Sequence, residues 1–171
     1  MDKVRKPKLT EVVAVHALIE AAADRGEVLR RGLPELYENA RDFCVYVDSG
    51  GAVGGCVALH IDMVDLAEVR SLVVRADLRG RGIGRRLVGA VEEEANQLDI
   101  ARIYAFTRMT DFFVRAGFHP VEKDTLPYKV FKDCMRCPMF PDCDEEAVLK
   151  DVGAREPGAR AEAGAARQAG G

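Results

Sequence analysis

No stretch of this 171-residue sequence approaches the ~18 consecutive apolar residues that cross a bilayer, so no spanning helix and no membrane partner are expected. The start, Met1-Asp2-Lys3-Val4-Arg5-Lys6, turns polar at once and lacks the apolar stretch of a secretory leader. An excess of positive charge is missing too. With 25 Lys and Arg against 28 Asp and Glu, the formal net charge is −3, which argues against a dedicated nucleic-acid binder. There is no internal repeat, and no large apolar residue follows Val152. The closing segment is mostly Ala, Gly, Arg and Glu; it cannot bury enough surface to offset its ordering entropy. One domain over residues 1–150 and a disordered tail over 151–171 are therefore expected. These absences point to the cytoplasm, where the five cysteines are reduced thiols or ligands rather than disulfides.

What is present alternates between the two periodicities. Thr10 is placed to cap a first helix, in which Val12, Val15, Leu18 and Ile19 recur at helical spacing until Gly26. Pro34 suits the first turn of a short second helix with Leu36 and Tyr37. Phe43, Val45 and Val47 alternate as a strand, and Ser49-Gly50-Gly51 turns into a second through Val53, Val57, Leu59 and Ile61. A third strand is predicted over Leu66 to Val74. Helical spacing returns in Ile83, Leu87, Val91, Ala95 and Leu98. Ile103, Tyr104 and Phe106 make another strand, and Asp111 to Ala116 a short helix closed by Gly117. Strand fragments at Phe118 to Val121 and Tyr128 to Phe131 complete an expected mixed α/β sheet.

Between the third strand and the long helix lies Arg79-Gly80-Arg81-Gly82-Ile83-Gly84. Glycines let the backbone approach a ligand, and a helix start turns unpaired N–H groups and partial positive charge outward. That combination suits a pyrophosphate, with Arg79, Arg81, Arg85 and Arg86 available for charge-assisted bonds. A dinucleotide fingerprint would need a third glycine where Leu87 stands, so that reading is rejected.

Arg-x-x-Gly-x-Gly after a strand bearing Leu-x-Val resembles the acetyl-CoA motif of the GNAT acetyltransferases. Phe112-Phe113-Val114-Arg115-Ala116-Gly117-Phe118 resembles their later F-Y-x-x-x-G-F motif. The resemblance covers about residues 3–150. It implies an α/β (α+β) fold with a largely antiparallel, twisted mixed sheet, splayed at the cofactor site and flanked by helices. It also implies acetyl-CoA as co-substrate, bound by the main chain of Leu72, Val73 and Val74, by residues 79–85 and by Phe112. A backbone N–H near Leu72 or Val73 would then stabilise the oxyanion.

Three segments resemble the acetyltransferase domain of the N-acetylglutamate synthases: residues 28–36, 66–72 and 106–113. A fourth, residues 126–134, resembles their short, stand-alone forms. The implied acceptor is a small amino acid, L-glutamate, acetylated on its α-amino group in the first step of arginine synthesis. By the same resemblance Arg31 holds the acceptor carboxylate, a task that suits a planar, permanently charged fork. Gly32 departs from the serine common next to it. Glu68 matches the general base, and Arg70, two residues on and on the same strand face, is expected among the substrate-binding residues and to steady Glu68. Thr107 matches a hydroxyl position that orients substrate or leaving group, and Lys129 is a second cation for the acceptor's side-chain carboxylate. Phe113 stands where many relatives carry an acidic tyrosine, so water or nothing protonates the leaving thiolate. A GNAT enzyme for another amine, or a non-catalytic acyl-CoA-binding or thiol- and metal-sensing module, are the competing readings. A homodimer stays open.

Cys134-x-x-Cys137-x5-Cys143 has a spacing that can ligate zinc, with Cys44, His119 or Asp144 as a fourth ligand. Acetyl transfer needs no metal, and free thiols are the preferred reading. His16 and His60 carry no expected role in the chemistry.

Overall fold

The structure, a computed structural model, describes residues 2–126, 129, 134–136 and 142–153. Its frame is a seven-stranded sheet in the order β1-β2-β3-β4-β5-β7-β6. The strands are β1 (Lys3–Arg5), β2 (Phe43–Val47), β3 (Val53–Met63), β4 (Leu66–Val74), β5 (Arg102–Thr107), β6 (His119–Val121) and β7 (Glu146–Asp151). Every pairing is antiparallel except β4 with β5, which the long crossover helix makes parallel. The helices are α1 (Val12–Asp24), α2 (Leu33–Glu38), α3 (Ile83–Gln97) and α4 (Thr110–Arg115).

Alternation along the strands divides the core. Cys44, Val57, Ala67, Val69, Ile103 and Ala105 face α3 and α4, where they pack on Leu87, Val91 and Phe113. Phe43, Val45, Cys56, Ala58 and Val73 face α1 and α2, against Val15, Ile19 and Leu36. A third apolar cluster on that same side joins Leu66, Tyr104, Leu126 and Ala147. Gly54 on β3 makes room for one of these layers: a Cβ there would lie 2.5 Å from Leu78 Cδ1.

Several expectations need correction. Thr10 does not cap α1; it lies in a 3-10 turn over Leu9–Glu11, and α1 starts at Val12 without a side-chain cap. Glu11 takes the organising role instead, accepting bonds from the Lys8 N–H and from Arg5. Strands β1 and β7 were not anticipated. The boundary drawn after residue 150 falls inside β7, and the Val152 and Gly153 N–H groups both donate to Ala101 O. The strand expected at Tyr128 to Phe131 lies outside the described residues, as do residues 154–171 of the expected tail.

Candidate active site

Strands β4 and β5 are hydrogen-bonded partners only at their starts. Leu66 pairs with Arg102, Ala67 with Ile103 and Glu68 with Tyr104, and the pairing ends there. Beyond Glu68 the two strands run unpaired, β4 to Val74 and β5 to Thr107, so the sheet opens as a wedge with Glu68 at its vertex.

A bulge on β4 conditions the open side. Ser71 has φ of +54°, and the register against β3 jumps from Cys56↔Val73 to Ala58↔Arg70, leaving two β4 residues opposite Val57. Cys56 sits behind this bulge, its thiol donating to Ser71 O at 3.5 Å. Burial pushes that thiol up to about 12, so it is a packing group and not a nucleophile. Because the Arg75 N–H donates to Gly54 O and Cys56, two positions on, pairs with Val73, alternation turns the N–H groups of Leu72 and Val74 away from β3, into the wedge. Of the two expected donors, Leu72 and Val73, Leu72 is the one whose N–H alternation turns into the wedge.

At the mouth of the wedge lies the start of α3. Gly80 and Gly82 have φ of +77° and +74°, and Gly82 is the N-cap with no side chain to satisfy the first-turn N–H groups. Phe112 of α4 packs over Gly84; a Cβ there would stand 3.3 Å from the ring and 3.9 Å from Val74. Residues 80–85 therefore present free backbone donors beside the half-buried apolar side chains of Leu72, Val74 and Phe112, while Ile83 is buried beneath. An open N-terminal turn next to an apolar wedge fits a diphosphate joined to an extended, uncharged arm.

The arginines divide. Arg81 and Arg85 are exposed at this mouth. Arg86 is turned aside, its guanidinium over the Tyr46 ring and within reach of Asp2 O. Arg79 bonds Val74 O at 3.1 Å and Glu27 at 2.7 Å. Arg25 and, after it, Arg79 hold the Glu27 carboxyl down to about 2. Across the wedge, Arg108 reaches Gly26 O at 3.3 Å. The α1–α2 connection is thus tied to the segment after β4 and to the segment after β5.

Among the described residues, the buried polar or charged side chains are Glu68, Thr107 and Lys129. Sequence reasoning had singled out all three. Glu68 is 4% exposed and Lys129 9%, and the Lys129 Nζ lies 2.8 Å and 2.9 Å from the two carboxylate oxygens. Arg70 stands farther off, 3.8 Å from Oε2. Sequence position identified Lys129 but not this partner, which is 61 residues away. Thr107 is on the α3 face by alternation with Ile103 and Ala105, opposite Glu68, and its Oγ1 accepts the Met109 N–H at 2.8 Å. Arg31 pairs with Glu35 at 2.8 Å, one turn into α2.

Glu145 was missed altogether. It is half-buried, 3.7 Å from Arg108, and close enough to Lys129 and Glu68 for their charges to act on it. Burial pushes its carboxyl up, with Arg108 and Lys129 opposing. No motif marks it.

The cysteine expectation divides as well. Cys134 and Cys143 form no disulfide with each other, the Cys143 thiol lies 3.9 Å from a Glu145 carboxylate oxygen, and Cys137 lies outside the described residues. Cys44 is buried against Glu94 on the α3 face, Asp144 is held by Arg108, and His119 is exposed on β6. Among the described residues no group of three or more His, Cys, Asp and Glu side chains could hold a metal ion, and no helix is long and apolar enough to cross a membrane.

Comparison with known proteins supplies the rest. A profile of the acetyltransferase (GNAT) family matches residues 14–118. An uncharacterised N-acetyltransferase of Chlorobaculum tepidum is 37% identical over 87% of this chain and 96% of its own length. The amino-acid acetyltransferase of Mycobacterium tuberculosis is 33% identical over 78% of this chain and 77% of its own. Among solved structures, the N-acetylglutamate synthase of Neisseria gonorrhoeae, bound to coenzyme A and N-acetyl-glutamate, matches with a TM-score of 0.81. The match covers 90% of this chain and 35% of that one, so this chain spans about a third of that protein, and at 22% identity the likeness speaks for the fold. The chain belongs to the GNAT acetyltransferase family and is an acyltransferase.

Proposed function

We propose that this protein transfers the acetyl group of acetyl-CoA to the α-amino group of L-glutamate, by direct attack with Glu68 as general base. The observation that carries the reading is the buried carboxylate at the vertex of the wedge. A co-substrate laid from the α3 entrance along β4 brings its far end toward that point, with the acceptor on the α1–α2 side. The amino-acid acetyltransferases among the relatives support an amino acid as acceptor. The catalytic unit is the domain of residues 1–150, extended by the end of β7, and its place is the cytoplasm at the first step of arginine synthesis.

Each residue then has a task. The first-turn N–H groups of α3, with Arg81 and Arg85, hold the diphosphate. Leu72, Val74 and Phe112 line the apolar arm. Acetyl-CoA supplies a thioester whose thiol, with a pKa of about 8.5, leaves readily as thiolate without a strong acid. Glu68 takes a proton from the acceptor's ammonium, freeing the lone pair that attacks, and the second proton lost as the amide forms passes to solvent. The Leu72 N–H faces the developing oxyanion. Arg31 receives the α-carboxylate, for which Glu35 is the stand-in here, and Arg70 steadies Glu68. Thr107 braces the end of β5.

Release of free thiol from acetyl-CoA, measured with single amino acids, tests the reading. Turnover with glutamate is expected. Turnover only with peptide N-termini, lysine or unrelated amines would overturn the acceptor assignment while keeping the enzyme.

A further inference from the structure

Glu68 is not available as a base in the geometry described. Its two oxygens both lie within 2.9 Å of the Lys129 ammonium, and the pair is almost wholly removed from water. An acceptor's ammonium approaching such a carboxylate meets a cation already in place. Lys129 has to shift before the proton can move. A buried ammonium leaves one anion only for another, because an unpaired charge in such surroundings is strongly disfavoured.

An aromatic face and a second carboxylate stand near the ammonium. The Lys129 Nζ stands 5.9 Å from the centroid of Phe106, an aromatic face that tolerates a cation as it moves. Glu145 is close enough for the charges of both members of the pair to act on it, and is itself engaged by Arg108. The missing component is a mobile anion delivered with the acceptor.

We propose that Lys129 is a specificity-determining latch: it occupies Glu68 in the free protein and is drawn off by a carboxylate on the acceptor's own side chain. An acidic amino acid thereby unmasks the base that acts on it. An acceptor with a neutral side chain binds through its α-carboxylate but leaves the base engaged. Discrimination therefore falls on kcat rather than on KM. This inference rests on Glu68 being the base.

The test is steady-state kinetics with glutamate and glutamine, for the full chain and for Lys129→Met and Lys129→Arg. In the parent, kcat with glutamate exceeds kcat with glutamine by roughly tenfold or more. In Lys129→Met the two kcat values converge to a ratio of about one, and Lys129→Arg keeps the preference. Equal proportional losses with both acceptors in Lys129→Met would make the residue merely structural and overturn the latch. If Lys129→Met does not fold, the parent decides alone: equal kcat values with the whole preference in KM overturn the latch. Turnover of amino acids without any kcat preference removes the latch and leaves the acceptor reading standing. No thiol release with any amino acid removes both.

Discussion

Arg31 shows how a single side chain can be committed and still ready. One guanidinium nitrogen bonds Glu35, and the rest of the five-donor fork remains for a second carboxylate. In the proposed role, replacing it with alanine removes a charge-assisted bond to the acceptor, a loss of about 1.5–3 kcal/mol. The expected outcome for Arg31→Ala is an acceptor KM raised by roughly ten- to a hundredfold, with kcat and the acetyl-CoA KM little changed. Titrating each substrate at saturation of the other checks this; a fall confined to kcat would remove Arg31 from acceptor binding. Family resemblance drew attention to Arg31, Glu68 and Lys129 in the sequence, and the structure brings Glu68 and Lys129 together in a buried pair. Their partners were not legible. Lys129 finds Glu68 across 61 positions and Arg79 finds Glu27 across 52, separations that no local pattern encodes.

Elements with strong periodicity were read correctly, and their ends less so. Helix α3 follows from Ile83, Leu87, Val91 and Ala95, all buried. Its entrance follows from glycines that adopt left-handed backbone. Gly82 at φ +74° makes a direct prediction at this scale. Nothing lies within 4 Å of where a Cβ would stand, so Gly82→Ala adds backbone strain of roughly 1–2 kcal/mol without a clash. Thermal melting should show that loss, and adding acetyl-CoA should restore less stability than it does in the parent because the donors are displaced. An unchanged melting temperature and an unchanged ligand-induced rise would contradict the part given to this loop. Strand β1 escaped notice because three residues at a sheet edge carry no periodicity, and β7 because an acidic run, Asp142 to Glu146 around Cys143, precedes its short apolar core. The bulge at Ser71 was equally invisible, since a serine at positive φ is held there by tertiary context.

Over the whole molecule, carboxylates clamped by arginines set the acid response. The Arg5 side chain, with the Lys8 N–H, holds Glu11 down to about 2 from an ordinary 4.5. Arg25 and Arg79 do the same for Glu27. A carboxyl lowered on folding contributes stability that is whole above its unfolded value and disappears as pH falls through the folded one. Stability should therefore decline between about pH 4.5 and 2. Urea unfolding at pH 5 and pH 3 should give a smaller gap for Glu11→Gln than for the parent, and an equal gap would show that the Arg5–Glu11 clamp carries no linkage. Topology at this scale was the least legible feature. The insertion of β7 between β5 and β6 depends on pairings between distant segments, while the parting of β4 from β5 after Glu68 was expected from the family resemblance alone and not from any local pattern.

The most direct test of the account is the rate of thiol release from acetyl-CoA with L-glutamate at pH 7, parent against Glu68→Gln, both shown to be folded. The expected result is measurable turnover in the parent and a kcat lower by roughly 10²–10⁴-fold in the variant, with acetyl-CoA binding retained. Equal rates for the two proteins would contradict it.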